Sequence, residues 1–178
     1  AILPIILVLM IAVIVFTFRS FSQTIVVLLL IPFGFIGVAW GHYIHGMQIS
    51  LFSILGTIAL IGILINDSLV FVSAFNVNIK AKMPYNEALM EAALSRFRPI
   101  VLTSITTIAG LAPLISETSF QAQFLIPMAL SIAYGLAVAT MVILVILPVL
   151  LLAVNNGKRF AHWYWHDKKL EPHMLEPA

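Results

Sequence analysis

Asp67 is the one acidic side chain inside any long apolar segment of this chain, in the run Gly62-Ile63-Leu64-Ile65-Asn66-Asp67-Ser68-Leu69-Val70. A carboxylate at membrane depth is costly, and residues of this kind mark ion or proton paths. Burial and a nearby cation act on such a group in opposite senses. A carboxyl poised between them can take up and release a proton near neutral pH. The plainer alternative is a hydrogen-bonded Asp that holds helices together, and the functional reading is the stronger of the two.

Few other residues can take part. Ser53, Thr57, Leu64, Asp67 or Ser68, and Phe71 recur at helical spacing with a gap at Leu60, so Asp67 belongs to a weakly polar stripe that has to face protein or water. In a later segment Thr103, Thr107, Gly110 and Leu114 share one face, with Thr106 beside them. Hydroxyls there can reach a carboxylate across a helix pair, although bonding to their own backbone is the simpler expectation. Gly56 and Gly62 suit close helix packing, as does Gly110. Arg96, one turn before Pro99, can reach a buried carboxylate from the water-accessible end, whereas Arg98 reads as an anchor. His42-x-x-His45 and His162-x-x-x-His166 lack a carboxylate or thiolate partner and are weak metal candidates. With no phosphate loop, nucleophile elbow or paired carboxylates, the chain does not read as an enzyme.

The elements that position these residues follow from composition. Hydrophobic residues make up 62% of 178 positions and charged residues 9%, with a mean hydropathy of +1.11. Soluble domains have about 45–50% apolar and about 25% charged residues, so this is an integral membrane protein. A net charge of +2 is too small to suggest nucleic acid. Without cysteine, disulfides and thiolate metal sites are excluded. The chain starts inside an apolar run with no initiator Met, and reads as a piece of a longer protein.

A helix needs about 20 mostly apolar residues to cross a bilayer. Five segments qualify: 1–18, 24–40, 51–75, 99–116 and 124–154. They are too long and too uniformly apolar for barrel strands. The expected fold is all-α, a polytopic membrane helix bundle with five transmembrane helices. All nine basic residues fall in the first and third connections and the tail, which lie on one side of such a bundle. By the positive-inside rule that side is cytoplasmic, and the C-terminus lies there. Asp67 then sits about 12 Å from the cytoplasmic end of its span. Between the third and fourth spans, Tyr85, Ala88, Leu89, Ala92 and Ala93 recur among Glu87, Glu91 and Lys82, which predicts a cytoplasmic amphipathic helix over 84–97. Residues 156–178 form a cytoplasmic tail whose Trp163, Tyr164 and Trp165 suit a headgroup boundary, with disorder expected beyond Glu171.

Two strings carry more than membrane logic: Gly62-Ile-Leu-Ile-Asn-Asp-Ser-Leu-Val-Phe-Val, and Arg96-Phe-Arg-Pro-Ile-Val-Leu-Thr-Ser-Ile-Thr-Thr-Ile-Ala-Gly-Leu-Ala-Pro-Leu. With Glu87-Ala-x-x-Glu91-Ala between them, and with Ile31-Pro-Phe-Gly and the stretch from Pro127 to Pro148, the chain resembles the resistance–nodulation–division (RND) efflux permeases up to about Asn155. The resemblance implies the C-terminal transmembrane bundle, helices eight to twelve of twelve, over residues 1–155. It implies a bacterial inner-membrane exporter driven by proton influx, with the proton motive force in place of a cofactor. Its partners would be the lipid bilayer, the missing N-terminal half, two further copies in a homotrimer, a periplasmic adaptor and an outer-membrane channel.

For the site, the resemblance implies a proton relay of Asp67, Asn66, Thr103 and Arg96. Multidrug members carry a relay Lys where this chain has Asn66, and an Asn66–Asp67 pair looks like another branch of the superfamily. The acidic partners would come from the fourth helix, outside this chain. The competing expectation is a non-transporting structural or sensory domain that uses the same bundle, with Asp67 as packing glue.

Overall fold

A backbone in lipid has to satisfy its own hydrogen bonds, and long apolar runs do so as helices. The computed structural model describes the backbone of residues 21–166 and the side chains of residues 23–157. The predicted first span, the aromatic cluster of the tail and the segment beyond Glu171 therefore lie outside the described side chains. The elements are α1 (Phe21–Ile44), α2 (Leu51–Lys80), α3 (Tyr85–Ile115), the single turn α4 (Phe120–Gln123) and α5 (Ile126–His166). Among the described residues all regular structure is helical, and α1, α2, α3 and α5 are long and apolar enough to cross a membrane.

The helices run longer than the predicted spans. α2 continues through Lys80, so Asp67 lies near mid-helix, about 20 Å from its C-terminal end at about 1.5 Å per residue. The larger departure is α3. The amphipathic helix expected over 84–97 and the span expected over 99–116 form one continuous helix of 31 residues. Pro99 removes one rung of the ladder but does not end it. Hydroxyls nearby bond other carbonyls, Ser95 Oγ donating to Ala92 O at 3.1 Å and Thr103 Oγ1 to Pro99 O at 3.0 Å, neither being the Ser95 carbonyl that Pro99 leaves without its N–H. α5 likewise continues past 154 to His166, so the first part of the expected tail is helical.

The chain runs up and down, with one end marked by Gly46 (φ 61°) in the α1–α2 turn and the other by Lys82 (φ 61°) in the α2–α3 turn. α5 is the common neighbour of α1, α2 and α3. Lipid supplies no hydrophobic drive between helices, so close contact at small residues has to hold them. Gly37 and Gly41 lie against Tyr134, and Gly56 against Met128. A Cβ on Gly37 would stand 2.8 Å from the Gly135 Cα, one on Gly41 2.8 Å from the Tyr134 Cβ, and one on Gly56 2.5 Å from the Met128 carbonyl. Gly135 in turn receives the Leu60 side chain. Leu30, Leu60, Leu64, Phe71, Phe75, Leu136, Ile143 and Leu147 fill the core between them.

Polar contacts fix the register at the Lys82 end. Gln23 and Asn76 exchange two amide hydrogen bonds, 2.8 and 3.0 Å, between α1 and α2. Asn78 Nδ2 donates to Ala88 O at 3.1 Å, which pairs α2 with α3. Buried Tyr85 stands edge-on to Phe75 and donates its hydroxyl to Leu151 O at 2.9 Å, which seats the start of α3 on α5.

Candidate functional site

From the Asn78–Ala88 bond the two antiparallel helices can be stepped upward together at about 1.5 Å per residue. Asp67 then comes about level with Pro99, with Arg96 about one turn nearer the Lys82 end and Thr103 about one turn nearer the Gly46 end. The four residues predicted as a relay therefore span about two turns of the α2–α3 pair, with Asp67 between the levels of Arg96 and Thr103.

Their surroundings differ. Asp67 is 9% exposed, and among the described residues its carboxylate has no hydrogen bond or ion pair. Arg96 is half-buried, and its Nε is enclosed without a hydrogen-bond partner. Asn66 and Thr103 are exposed. The Thr103 hydroxyl stays on its own helix, donating to Pro99 O and Ile100 O at 3.0 and 2.9 Å, and Thr106 and Thr107 do the same with Leu102, Thr103 and neighbouring carbonyls. The expectation of own-backbone bonding holds, and no hydroxyl of α3 reaches Asp67. Besides Tyr85, the hydroxyl of α3 that crosses a helix pair among the described residues is Ser104, 2.6 Å from Thr140 Oγ1 on α5.

One face is left open. α3 is the least covered of the four long helices. Thr103, Thr106 and Gly110 are exposed there, as are Asn66 and Gly62 on α2. A Cβ on Gly62 or Gly110 would meet nothing within 4 Å, so neither makes the close helix contact expected of it, whereas Gly56 does. A buried, unpaired carboxylate beside an uncovered polar face is half of a charge site, since an ion in low dielectric needs partners.

The stripe along α2 is also less polar than its spacing suggested. Leu60 and Leu64 are each 1% exposed and lie between Thr57 and Asp67. They divide the polar residues of α2 into the Asp67 level and a separate group at the Gly46 end. In that second group His42 and His45 are engaged with Ser53 and Tyr134 instead of with each other. Among the described residues no three His, Cys, Asp or Glu side chains converge as a metal site would require. The tight seats of Gly37, Gly41 and Gly135 were not anticipated, although Gly37-x-x-x-Gly41 is a helix-association spacing readable in the sequence.

An up-and-down bundle of long apolar helices, with one buried acid among the described residues, defines a polytopic membrane protein. The chain matches the model of the AcrB/AcrD/AcrF family over residues 1–155 and belongs to that family, the RND efflux permeases. It is similar to the multidrug resistance protein MdtC of Erwinia amylovora, 28% identical over 147 residues, covering 82% of this chain and 14% of that protein. It is 32% identical over 138 residues to the swarming motility protein SwrC of Bacillus subtilis, covering 77% and 13%. The nickel and cobalt resistance protein CnrA of Cupriavidus metallidurans is 28% identical over 149 residues, covering 84% and 14%. A crystal structure of a heavy metal efflux pump superposes with a TM-score of 0.78 at 26% identity, covering 87% of this chain and 16% of the pump. The chain thus spans about one seventh of the length of these relatives.

Proposed function

We propose that this chain is the C-terminal membrane portion of a proton-driven exporter of the bacterial inner membrane, with the Lys82 end in the cytoplasm. The observation that carries the reading is Asp67: buried, unpaired among the described residues, and between the levels of Arg96 and Thr103 at the edge of an uncovered polar face. Proton uptake by Asp67 neutralises a charge that is costly at this depth, and release restores it. The two states differ in what they demand of the face opposite, which gives protonation a grip on helix packing. Asn66 offers an uncharged donor and acceptor beside the carboxylate. In this reading Arg96, not paired with Asp67 among the described residues, offers a cation about one turn to one side, and Thr103 a hydroxyl about one turn to the other.

The opposing acidic residues belong to the rest of the permease, whose fourth helix would cover Asn66 and Thr103. The orientation is supported by Lys80 and Lys82 at that end and by the sequence, which has no Lys or Arg in the α1–α2 turn or between α3 and α5. The energy source is the proton motive force, with no bound cofactor. A homotrimer joined to a periplasmic adaptor and an outer-membrane channel is the assembly that family membership suggests.

Asp67→Asn in the full-length permease tests the reading. It keeps the shape and removes the titratable proton, so proton-coupled export should fall by about a hundredfold, a loss typical of removing a proton-transfer group. Unchanged export at normal expression would sink the proposal. The measurement is substrate efflux from proteoliposomes with and without an imposed pH difference.

A further inference from the structure

At the Gly46 end, beyond Leu60 and Leu64, lies a second titratable group that the Asp67 reading does not use. His42 is 4% exposed, in the last turns of α1, and Ser53 in the first turn of α2 is 1% exposed. His42 Nδ1 lies 3.0 Å from Val38 O, and Nε2 lies 2.7 Å from Ser53 Oγ. A carbonyl oxygen only accepts, so Nδ1 carries a hydrogen. Ser53 Oγ already accepts the Ser50 N–H at 3.1 Å, and its own hydrogen is free to enter Nε2. The ring is then neutral with both nitrogens satisfied.

The same contacts accommodate the charged ring. Ser50 Oγ stands 3.3 Å from Ser53 Oγ and is half-buried in the turn that faces water at this end. Ser53 can pass its hydrogen to Nε2 and take one from Ser50, which takes one from solvent. One proton has then moved from solvent to Nε2, each serine keeps one hydrogen, and the His42–Ser53 bond has reversed direction. The path is a chain of three groups already in contact, from the surface to a buried imidazole.

We propose that His42 is a second proton-binding site of the permease, loaded from the outer solution through Ser50 and Ser53. The outer assignment of this end rests on the orientation proposed above. The groups around the site are few. α1 brings Tyr43 and His45, and α5 brings Tyr134, whose hydroxyl is 3.0 Å from His45 Nε2. α2 brings only the hydroxyls of Ser50, Ser53 and Thr57. Glu117, after α3, lines a cavity of about 530 Å³ together with Met47 and Gln48 of the adjoining turn. None of these charged or titratable groups bonds to His42 among the described residues. Protonation therefore places a new charge at the α1–α2 junction and rewrites the bond that joins the two helices. Leu60 and Leu64 keep this site apart from Asp67, so it reports outer acidity and does not feed the Asp67 level along α2.

The test uses the full-length permease with ¹⁵N-labelled histidine in lipid nanodiscs, the His42 signals being identified by their loss in His42→Gln. The expected result is a single neutral form protonated at Nδ1 in basic buffer and signals of the doubly protonated ring in acidified, folded protein. A His42 that keeps one neutral form on acidification, in protein still folded, overturns the proposal. Ser53→Ala leaves Val38 O to hold the hydrogen on Nδ1 but cuts the path to solvent, so proton exchange at Nε2 should slow; unchanged exchange would show that Ser53 does not gate the ring. Export supplies the functional arm. With the pH difference across the membrane held constant, the ratio of rates at outer pH of about 5.5 and 7.5 should change about threefold in His42→Gln. An unchanged ratio reduces His42 to a structural contact. The spectroscopic arm decides the proposal even if Asp67→Asn leaves export intact, so the two readings fail separately.

Discussion

The two polar levels of α2 are built on opposite terms. At the Gly46 end His42, Ser53 and Ser50 satisfy one another inside a junction closed by Gly37, Gly41 and Gly56 against α5. At mid-helix Asp67 is buried without a described partner, and its neighbours Asn66 and Thr103 face outward. Among the described residues the first site is complete and the second is not. In lipid this contrast is informative, because polar groups without partners are what drive helices to associate there.

The contrast can be broken from the closed side first. Gly37→Ala sets a methyl group against the Tyr134 carbonyl and the Gly135 Cα, where neither backbone can move away. It should cost about 2 kcal/mol of stability, the middle of the range for overpacking. Gly62→Ala, on the open face, should cost nothing in a protein consisting of this chain alone, because Ala outranks Gly in a helix. Thermal unfolding of both variants in detergent checks the pair, and equal losses would mean that the two sides are covered alike.

A smaller effect sharpens the boundary between them. Ser104 and Thr140 share a buried hydrogen bond of 2.6 Å at the last enclosed position of α3. Ser104→Ala should cost about 1 kcal/mol, with a double-mutant cycle to Thr140→Ala returning most of that as coupling. Additive losses would show that the contact carries no energy. The smallest change belongs to Thr103→Ala, whose hydroxyl serves only its own helix here: within about 0.5 kcal/mol in stability. If Thr103 takes part in proton exchange, export by the full-length protein should nevertheless fall several-fold, separating function from stability at one residue.

Much of this was legible from residue types. Long apolar runs imply helices in a bilayer, and the isolated Asp67 and the strings around it implied an RND permease. The limits of the helices were not legible. Pro99 reads as a boundary because it lacks a backbone N–H, yet the helix continues through it, with Tyr85, Ala88 and Ala92 on one side and Ile100 and Ser104 on the other buried against the bundle. Nor does spacing tell which small residues are pressed upon. Gly56 and Gly62 look alike in sequence, and only the position of α5 separates a tight contact from open space. The division of α2 by Leu60 depends on the same fact, since Leu60 is enclosed because Gly135 makes room for it.

The continuity of α3 has a mechanical consequence. Tyr85, Ala88, Leu89 and Ala92 clamp its first turns, and Ser104 is its last buried residue. The stretch from there to Ile115 is an overhang of about 16 Å, and the clamp ends near Pro99, where the rod is weakest. Asp67 stands beside that weak section. A tilt of about 10° there, about 24 Å from Ile115, would carry the tip sideways by about 4 Å, so a rearrangement confined to one carboxylate can be delivered, enlarged, to the opposite face of the membrane.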